Sequence, residues 1–249
     1  MKIYKFQDYK EVSKKASSII IDAIKENSHL RLGLATGDSP KLTYKYLIDA
    51  YLRKEISFKN ITTFNLDEYI GVSPNHPQSY HYFMYEHLFN YIDILKENIN
   101  LPKNSKDNIK EEIEEYDLNI LQNQVDLQIL GIGQNGHIGF NEPGSSFDNK
   151  TFVVDLDEQT RIDNSRFFDS IDDVPTQAIT LGIKNIMRSK KIILIATGHS
   201  KAEAVHKMIY GKITEQLPAS ILQLHPDVTI ILDKEAAKFL PSNYDYFLI

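Results

Sequence analysis

The sequence contains no cysteine and no long apolar segment. Without cysteine the chain can form neither disulfide bonds nor thiolate metal sites, which fits a reducing compartment. No stretch approaches the roughly 18 apolar residues of a membrane-spanning helix, and residues 1–6 lack the apolar core of a signal peptide. We therefore expect a cytoplasmic protein with no membrane partner.

An excess of basic residues is missing as well. The 249 residues include 28 Lys and Arg against 34 Asp and Glu, a formal net charge of −6, and the cations are scattered. A nucleic-acid partner would need a basic face, so we expect none. His76, His81 and His87 do not share one face of a helix as zinc ligands would, and we expect no metal site.

Glycine is also scarce, yet four of the 11 glycines lie between Gly131 and Gly139. They follow an apolar run over 125–130 that is typical of a buried strand. So many glycines cost conformational entropy, and such a turn is tolerated where the backbone must come close to something, usually a ligand.

These glycines match G-x-G-x-x-G, the fingerprint of dinucleotide binding. That fingerprint requires a helix to begin directly after it, so that the helix N-terminus can hold the pyrophosphate. Here Gly139, Pro143 and Gly144 would end any helix. We therefore reject a nicotinamide or flavin site.

Apolar periodicity predicts strands that alternate with helices. The predicted strands cover 30–35, 61–66, 125–130, 191–196 and 228–232. The predicted helices cover 12–24, 40–50, 80–92, 109–120, 202–210 and 234–240. This alternation implies an α/β fold, a single domain over 1–249 with an open, mostly parallel twisted sheet and helices on both faces, a Rossmann-like three-layer sandwich.

A polar turn follows each of four predicted strands, over 36–40, 67–68, 135–142 and 197–201. In an open parallel sheet such turns gather along one edge, where ligands bind, so we expect the four to converge. In the first turn Ser39 is a plausible N-cap and Pro40 suits the first helical position. The free N–H groups of such a turn suit a phosphate, although a capped connection without ligand is the alternative.

The segment over 152–181 begins with weak periodicity and carries Arg161 and Arg166. A polar, arginine-bearing segment of this length is a candidate mobile lid. Two glycine turns, a lysine and an arginine fit a phosphate, and Asp67, His137 and Glu142 supply acid and base groups. Together they suggest proton transfer on a phosphorylated small molecule.

Six motifs in order resemble the glucosamine-6-phosphate deaminase family, and the likeness covers nearly the whole chain. They are LATGDSP (34–40), TFNLDEY (63–69), HPQSY (76–80), GQNGHIGFNEP (133–143), TRIDNSRFF (160–168) and LQLHP (222–226). The resemblance implies that glucosamine 6-phosphate and water give fructose 6-phosphate and ammonium. This aldose–ketose isomerisation with hydrolytic loss of ammonia, a step of amino-sugar catabolism, needs no cofactor.

The resemblance also implies residue roles. His137 assists opening of the sugar ring and is oriented by Glu142 and Asn135, while Asp67 removes the proton on carbon 2 and returns one to carbon 1. The residues expected to bind substrate, above all its phosphate, are Thr36, Gly37, Asp38, Ser39, Gly133, Arg166 and Lys201.

Two positions depart from the family pattern. Asn135 stands where many members have Asp, and its amide can orient a histidine but offers no charge. Phe152 and Val154 stand where allosteric hexameric members have an Arg and a Lys for N-acetylglucosamine 6-phosphate. We therefore expect an active enzyme with a different pH profile, of the non-allosteric type, and a monomer or small homo-oligomer.

Two alternatives stay open. One is a 6-phosphogluconolactonase-like hydrolase, which has a related fold but a different pattern after the histidine. The other is a sugar-phosphate sensor without catalysis, which would bind glucosamine 6-phosphate without turning it over.

Overall fold

The computed structural model describes residues 1–105, 107–156, 170, 174–241 and 246–248, and it contains eleven strands in these ranges. The strands are β1 Lys2–Phe6, β2 Arg31–Leu34, β3 Thr62–Asn65, β4 Asp67–Tyr69, β5 Ile99–Asn100, β6 Leu127–Leu130, β7 Phe152–Asp155, β8 Gln177–Thr180, β9 Lys191–Ala196, β10 Val228–Asp233 and β11 Tyr246–Leu248.

Eight of these strands form an open central sheet in the order β11-β1-β10-β9-β6-β2-β3-β5. Neighbouring strands are parallel throughout, except that the edge strand β11 runs antiparallel to β1. Every residue of β6 and β10 is buried, as expected of central strands that are covered on both faces. The predicted α/β fold with a mostly parallel sheet is confirmed.

Six α-helices accompany the sheet in the described ranges: α1 Tyr9–Glu26, α2 Asp38–Leu52, α3 Tyr80–His87, α4 Ile109–Gln122, α5 Ile183–Ile186 and α6 Ala202–Tyr210. The Asp8 side chain caps α1 by accepting from the Glu11 amide, and the Glu11 carboxylate accepts from the Gln7 amide. The helix buries Val12 and Ile20 on one face. No helix in the described part of the chain is long and apolar enough to span a membrane.

A second, three-stranded antiparallel sheet has the order β4-β8-β7. In its register Asp67 lies opposite Thr180, and Thr180 lies opposite Phe152. The sequence pattern did not predict this sheet, because its strands are three or four residues long and far apart in the chain. The predicted lid over 152–181 begins and ends in it; residues 157–169 and 171–173, including Arg161 and Arg166, lie outside the described residues, and the lid stays a prediction.

Two predicted helix boundaries and one predicted helix were wrong. Helix α2 begins at Asp38 after the N-cap Gly37, so Ser39 is already helical and makes no cap. The helix predicted over 80–92 ends at His87 and is followed by a separate 3₁₀ turn. Residues 234–240 form turns instead of a helix: the Asp233 carboxylate captures the Ala236 amide, and the Leu240 amide donates to a carbonyl three residues back.

Candidate active site

Three of the four polar turns meet around a cavity of about 210 Å³ at the C-terminal edge of the central sheet. The turn after β2 and the stretch after β6 both line it, and so does Asp67, which follows β3. Six of the residues predicted from the sequence form its wall: Thr36, Gly37, Asp38, Ser39, Asp67 and His137. The structure therefore brings the acid–base groups and one anion turn into a single pocket.

The turn after β2 presents the N-terminus of α2 to this cavity. Gly37 has a φ of 92°, a left-handed conformation that favours glycine, and no side chain caps the helix. The Tyr44 hydroxyl donates to the Ala35 carbonyl at 2.5 Å and accepts from the Ala35 amide at 3.2 Å, which fixes the end of the strand. The positive end of the α2 dipole thus faces the cavity, which suits an anion.

Asp67 is buried, and its carboxylate accepts no hydrogen bond from the described residues. Burial, and then the charge of Glu68, raise the pKa of Asp67 to about 8. An ionised carboxylate loses solvation in such a pocket, so the proton is held more tightly. The result is a carboxylate that is a stronger base than an exposed aspartate and whose oxygens are not already engaged.

Burial raises the pKa values of four tyrosines, and the charge of nearby Asp67 adds to each rise: Tyr44, Tyr69, Tyr80 and Tyr116. Their hydroxyls are engaged elsewhere. The Tyr116 hydroxyl donates to the Asn65 carbonyl at 2.6 Å, and the hydroxyls of Tyr80 and Tyr69 lie 3.4 Å apart. None of these four hydroxyls therefore hydrogen-bonds to Asp67.

Glu68 has a different, structural role. Its carboxylate accepts hydrogen bonds from the amides of Tyr69, Tyr80 and His81 at 2.8 to 3.0 Å. The amides of Tyr80 and His81 belong to the first turn of α3. The side chain of its N-cap residue, Ser79, accepts a hydrogen bond from the Tyr82 amide. Burial raises the pKa of Glu68 while these three hydrogen bonds oppose the rise. Of the adjacent pair, Glu68 caps a helix and Asp67 faces the cavity.

The stretch after β6 carries a linked set of three side chains. His137 Nδ1 lies 3.0 Å from Glu142 Oε1, but the N–H direction is not aligned for a regular hydrogen bond, so the pair is a close polar contact. Asn135 Nδ2 donates to Glu142 Oε2 at 2.6 Å, and Asn135 Oδ1 accepts from the His137 amide at 3.1 Å. Asn135 thus holds both the glutamate and the histidine backbone.

The glycines of this stretch make room for protein side chains. A Cβ atom at Gly133 would lie 2.4 Å from His137 Cε1, and one at Gly136 would lie 2.3 Å from Leu217 Cδ1. Gly133 does not belong to the cavity wall, although we predicted it to bind substrate. The imidazole ring of His137 occupies the space that a side chain at position 133 would need, so only glycine fits there.

The fourth polar turn, over 197–201, does not line this cavity. Both carboxylate oxygens of Asp233 accept from the Gly198 amide, at 3.1 and 3.0 Å, and this fixes the start of the turn. Lys201 is half-buried, and loss of solvation lowers its pKa. Arg166, the other predicted phosphate ligand, lies outside the described residues.

Some residues of the site carried no signal that we used. Tyr80 and Phe140 line the cavity with nearly parallel rings 6.1 Å apart, and Tyr69 packs against both. Asp233 could have been found by the rule used for Asp67, since it too is an acidic residue at the C-terminal end of a strand.

Compared with wild type, the Asp67→Asn variant should become progressively more stable as pH rises. An unfolded aspartate has a pKa of about 3.9, whereas that of Asp67 is about 8 in the folded chain. Between these values the folded state keeps a proton that the unfolded state has released, so wild-type stability falls as pH rises. The variant lacks this pH-dependent loss. Its free energy of unfolding should therefore exceed that of wild type by a few kcal/mol at high pH, on the order of 1.4 kcal/mol per unit of pKa difference.

Urea unfolding from pH 4.5 to 8.5 measures this difference. The exposed Asp148→Asn variant is the control and should follow the wild-type curve. A constant difference between wild type and Asp67→Asn across this range would contradict the raised pKa.

A family model described as glucosamine-6-phosphate isomerases/6-phosphogluconolactonase matches residues 7–231. A glucosamine-6-phosphate deaminase of Thermoanaerobacter pseudethanolicus is 53% identical over 244 residues, which cover 98% of this chain and 96% of the relative. One of Oceanobacillus iheyensis is 50% identical over 248 residues, covering 99% and 98%.

Solved structures agree with these relatives. A monomeric glucosamine-6-phosphate deaminase superposes with a TM-score of 0.92 at 48% identity, covering 96% of this chain and 99% of that one. A 6-phosphogluconolactonase from Trypanosoma brucei reaches a TM-score of 0.77 at 21% identity, covering 96% and 98%, and shows the shared fold alone. The chain therefore belongs to the glucosamine-6-phosphate isomerase/6-phosphogluconolactonase family.

Proposed function

We propose that this protein is a deaminase that converts glucosamine 6-phosphate and water into fructose 6-phosphate and ammonium. The observation that carries the proposal is the buried Asp67 carboxylate, which shares one cavity with His137, whose Nδ1 contacts Glu142. The relatives that are 50 and 53% identical to this chain carry the name of this enzyme.

The substrate phosphate binds at the N-terminus of α2. The amides of the turn over 36–39 supply donors there, and the helix dipole favours an anion. Asp38 does not oppose this strongly, because its exposed carboxylate is paired with Lys41 at 2.8 Å. Lys201 and Arg166 are the cations that complete the phosphate site in this proposal.

His137 opens the sugar ring by moving a proton from the hydroxyl on carbon 1 to the ring oxygen. The contact with Glu142 Oε1 favours a proton on His137 Nδ1, which leaves Nε2 as the nitrogen that exchanges protons with the sugar. Asn135 keeps the glutamate in place through its 2.6 Å hydrogen bond. Ring opening gives an aldehyde at carbon 1 next to the amine-bearing carbon 2.

Asp67 then takes the proton from carbon 2, which gives an enolamine, and delivers a proton to carbon 1. Protonation of carbon 1 leaves a double bond between carbon 2 and its nitrogen. Water adds to carbon 2, and the carbon–nitrogen bond breaks to release ammonia and give the ketone. A base for this step must lie within hydrogen-bond reach of the carbon-bound proton, and a free carboxylate that lines the cavity meets that condition. The substrate ammonium lowers the pKa of Asp67 on binding and so favours its ionised form.

The chain is a monomer or small homo-oligomer without the allosteric response of hexameric members. Phe152 and Val154 lie in strand β7 and offer no charge to a second sugar phosphate. The solved deaminase that this chain resembles is monomeric. Hydrolysis of a phosphogluconolactone is the second candidate activity, and it rests on likeness of fold alone.

Replacing Asp67 with Asn should abolish ammonium release while leaving binding of the sugar phosphate intact. An amide cannot take the proton from carbon 2, and loss of a positioned base lowers the rate by about 10²- to 10⁴-fold. Ammonium and fructose 6-phosphate are measured together, with the exposed Asp148→Asn variant as control. Stabilisation of wild type by glucosamine 6-phosphate without any turnover would instead indicate the sugar-phosphate sensor.

Replacing Asn135 with Asp should move the acid limb of the pH–rate profile to higher pH. A second carboxylate beside Glu142 favours protonated His137, and the free imidazole that opens the ring then appears only at higher pH. We expect a shift on the order of 0.5 to 1 pH unit in kcat/KM. The exposed Asn75→Asp variant should show none, and an unchanged limb in Asn135→Asp would contradict this role.

A further inference from the structure

Thr180 is the cross-strand neighbour of the candidate base. In the antiparallel pair of β4 and β8, the Cα atoms of Asp67 and Thr180 face each other, so both side chains leave the same face of the small sheet. Thr180 is fully buried and does not line the cavity. It therefore lies beside the site without being part of the surface that substrate touches.

The Thr180 hydroxyl reaches the stretch that follows His137. Its Oγ1 accepts a hydrogen bond from the Phe140 amide at 3.0 Å. A Cβ atom placed on Gly139 would lie 3.0 Å from Thr180 Oγ1 and 3.6 Å from Asp67 Oδ2. The Thr180 hydroxyl and the Asp67 carboxylate therefore both lie close to Gly139, two residues beyond the histidine.

Asn141 makes a second connection at the same place. Its buried Nδ2 donates to the Leu181 carbonyl, directly after Thr180, and to the Ile138 carbonyl, both at 2.9 Å. The backbone from 138 to 141 is therefore attached to the end of β8 at two points. Because β8 also pairs with β4, this strand contacts both the strand that carries Asp67 and the stretch that carries His137.

We propose that Thr180 is a positioning residue, whose hydroxyl fixes the distance between Asp67 and the His137 stretch through its hydrogen bond to Phe140. This inference rests on the proposed deaminase function. His137 follows β6 of the central sheet and Asp67 begins β4 of the small sheet, and the hydrogen bond between Thr180 and Phe140 joins the two stretches directly. Both groups must act on adjacent parts of one small sugar, and a displacement of about 1 Å can cost about 10²-fold in rate.

The test compares Thr180→Val with Thr180→Ser. Valine keeps the shape and removes the acceptor, whereas serine keeps the acceptor. We expect kcat for ammonium release to fall about 10- to 100-fold in Thr180→Val with little change in KM, because the anion turn is untouched, and to stay near wild type in Thr180→Ser. The control is Thr63→Val, at a fully buried strand residue whose hydroxyl has no hydrogen-bond partner among the described residues; its kcat should be unchanged.

Equal losses in the valine and serine variants, or a wild-type kcat in Thr180→Val, would overturn the inference. If Thr180→Val does not fold, Thr180→Ala replaces it in the comparison with Thr180→Ser. Hydrogen exchange of the Phe140 amide is an independent measurement, and it should speed up in the valine or alanine variant but not in serine. A wild-type chain that releases no ammonium overturns the proposed function, whereas an active wild type with an unaffected Thr180→Val overturns this inference alone.

Discussion

The burial of the Asp67 carboxylate without a hydrogen-bond partner among the described residues is the constraint on which the site depends. The hydroxyls of the nearby Tyr44, Tyr69, Tyr80 and Tyr116 are engaged elsewhere or with one another. Such a group raises the free energy of the folded state above pH 4, and the large core offsets that cost. In the proposed mechanism this carboxylate of raised pKa is the base that takes the carbon-bound proton.

The site lies where two sheets of different kind meet. The central parallel sheet supplies the anion turn after β2 and the histidine stretch after β6, and the small antiparallel sheet supplies Asp67. Only Leu66 separates the end of β3 from the start of β4, and Asp67, the first residue of β4, lines the cavity. The backbone from 138 to 141 joins the two sheets through Thr180 and Asn141.

Much of this arrangement could be predicted from the sequence, because it depends on local patterns. The strand over 191–196 was predicted with its correct ends, and the rule that turns gather at the C-terminal edge placed Asp67, His137 and the turn over 36–39 together. The small sheet and the role of Thr180 could not be predicted, since pairing between distant three- and four-residue strands leaves no periodic signal. The close packing of His137 on Gly133 was missed for a similar reason: a glycine-rich turn indicates a close approach but does not show to what.

The most direct test of the account follows the proton on carbon 2. Glucosamine 6-phosphate carrying deuterium at that carbon is turned over by the wild-type chain, and the hydrogen at carbon 1 of fructose 6-phosphate is analysed by NMR. A single buried base that removes one proton and returns one predicts that a measurable fraction of the deuterium appears at carbon 1. Product with only solvent hydrogen at carbon 1, or no product, would contradict the assignment of Asp67 as a buried base that carries the proton.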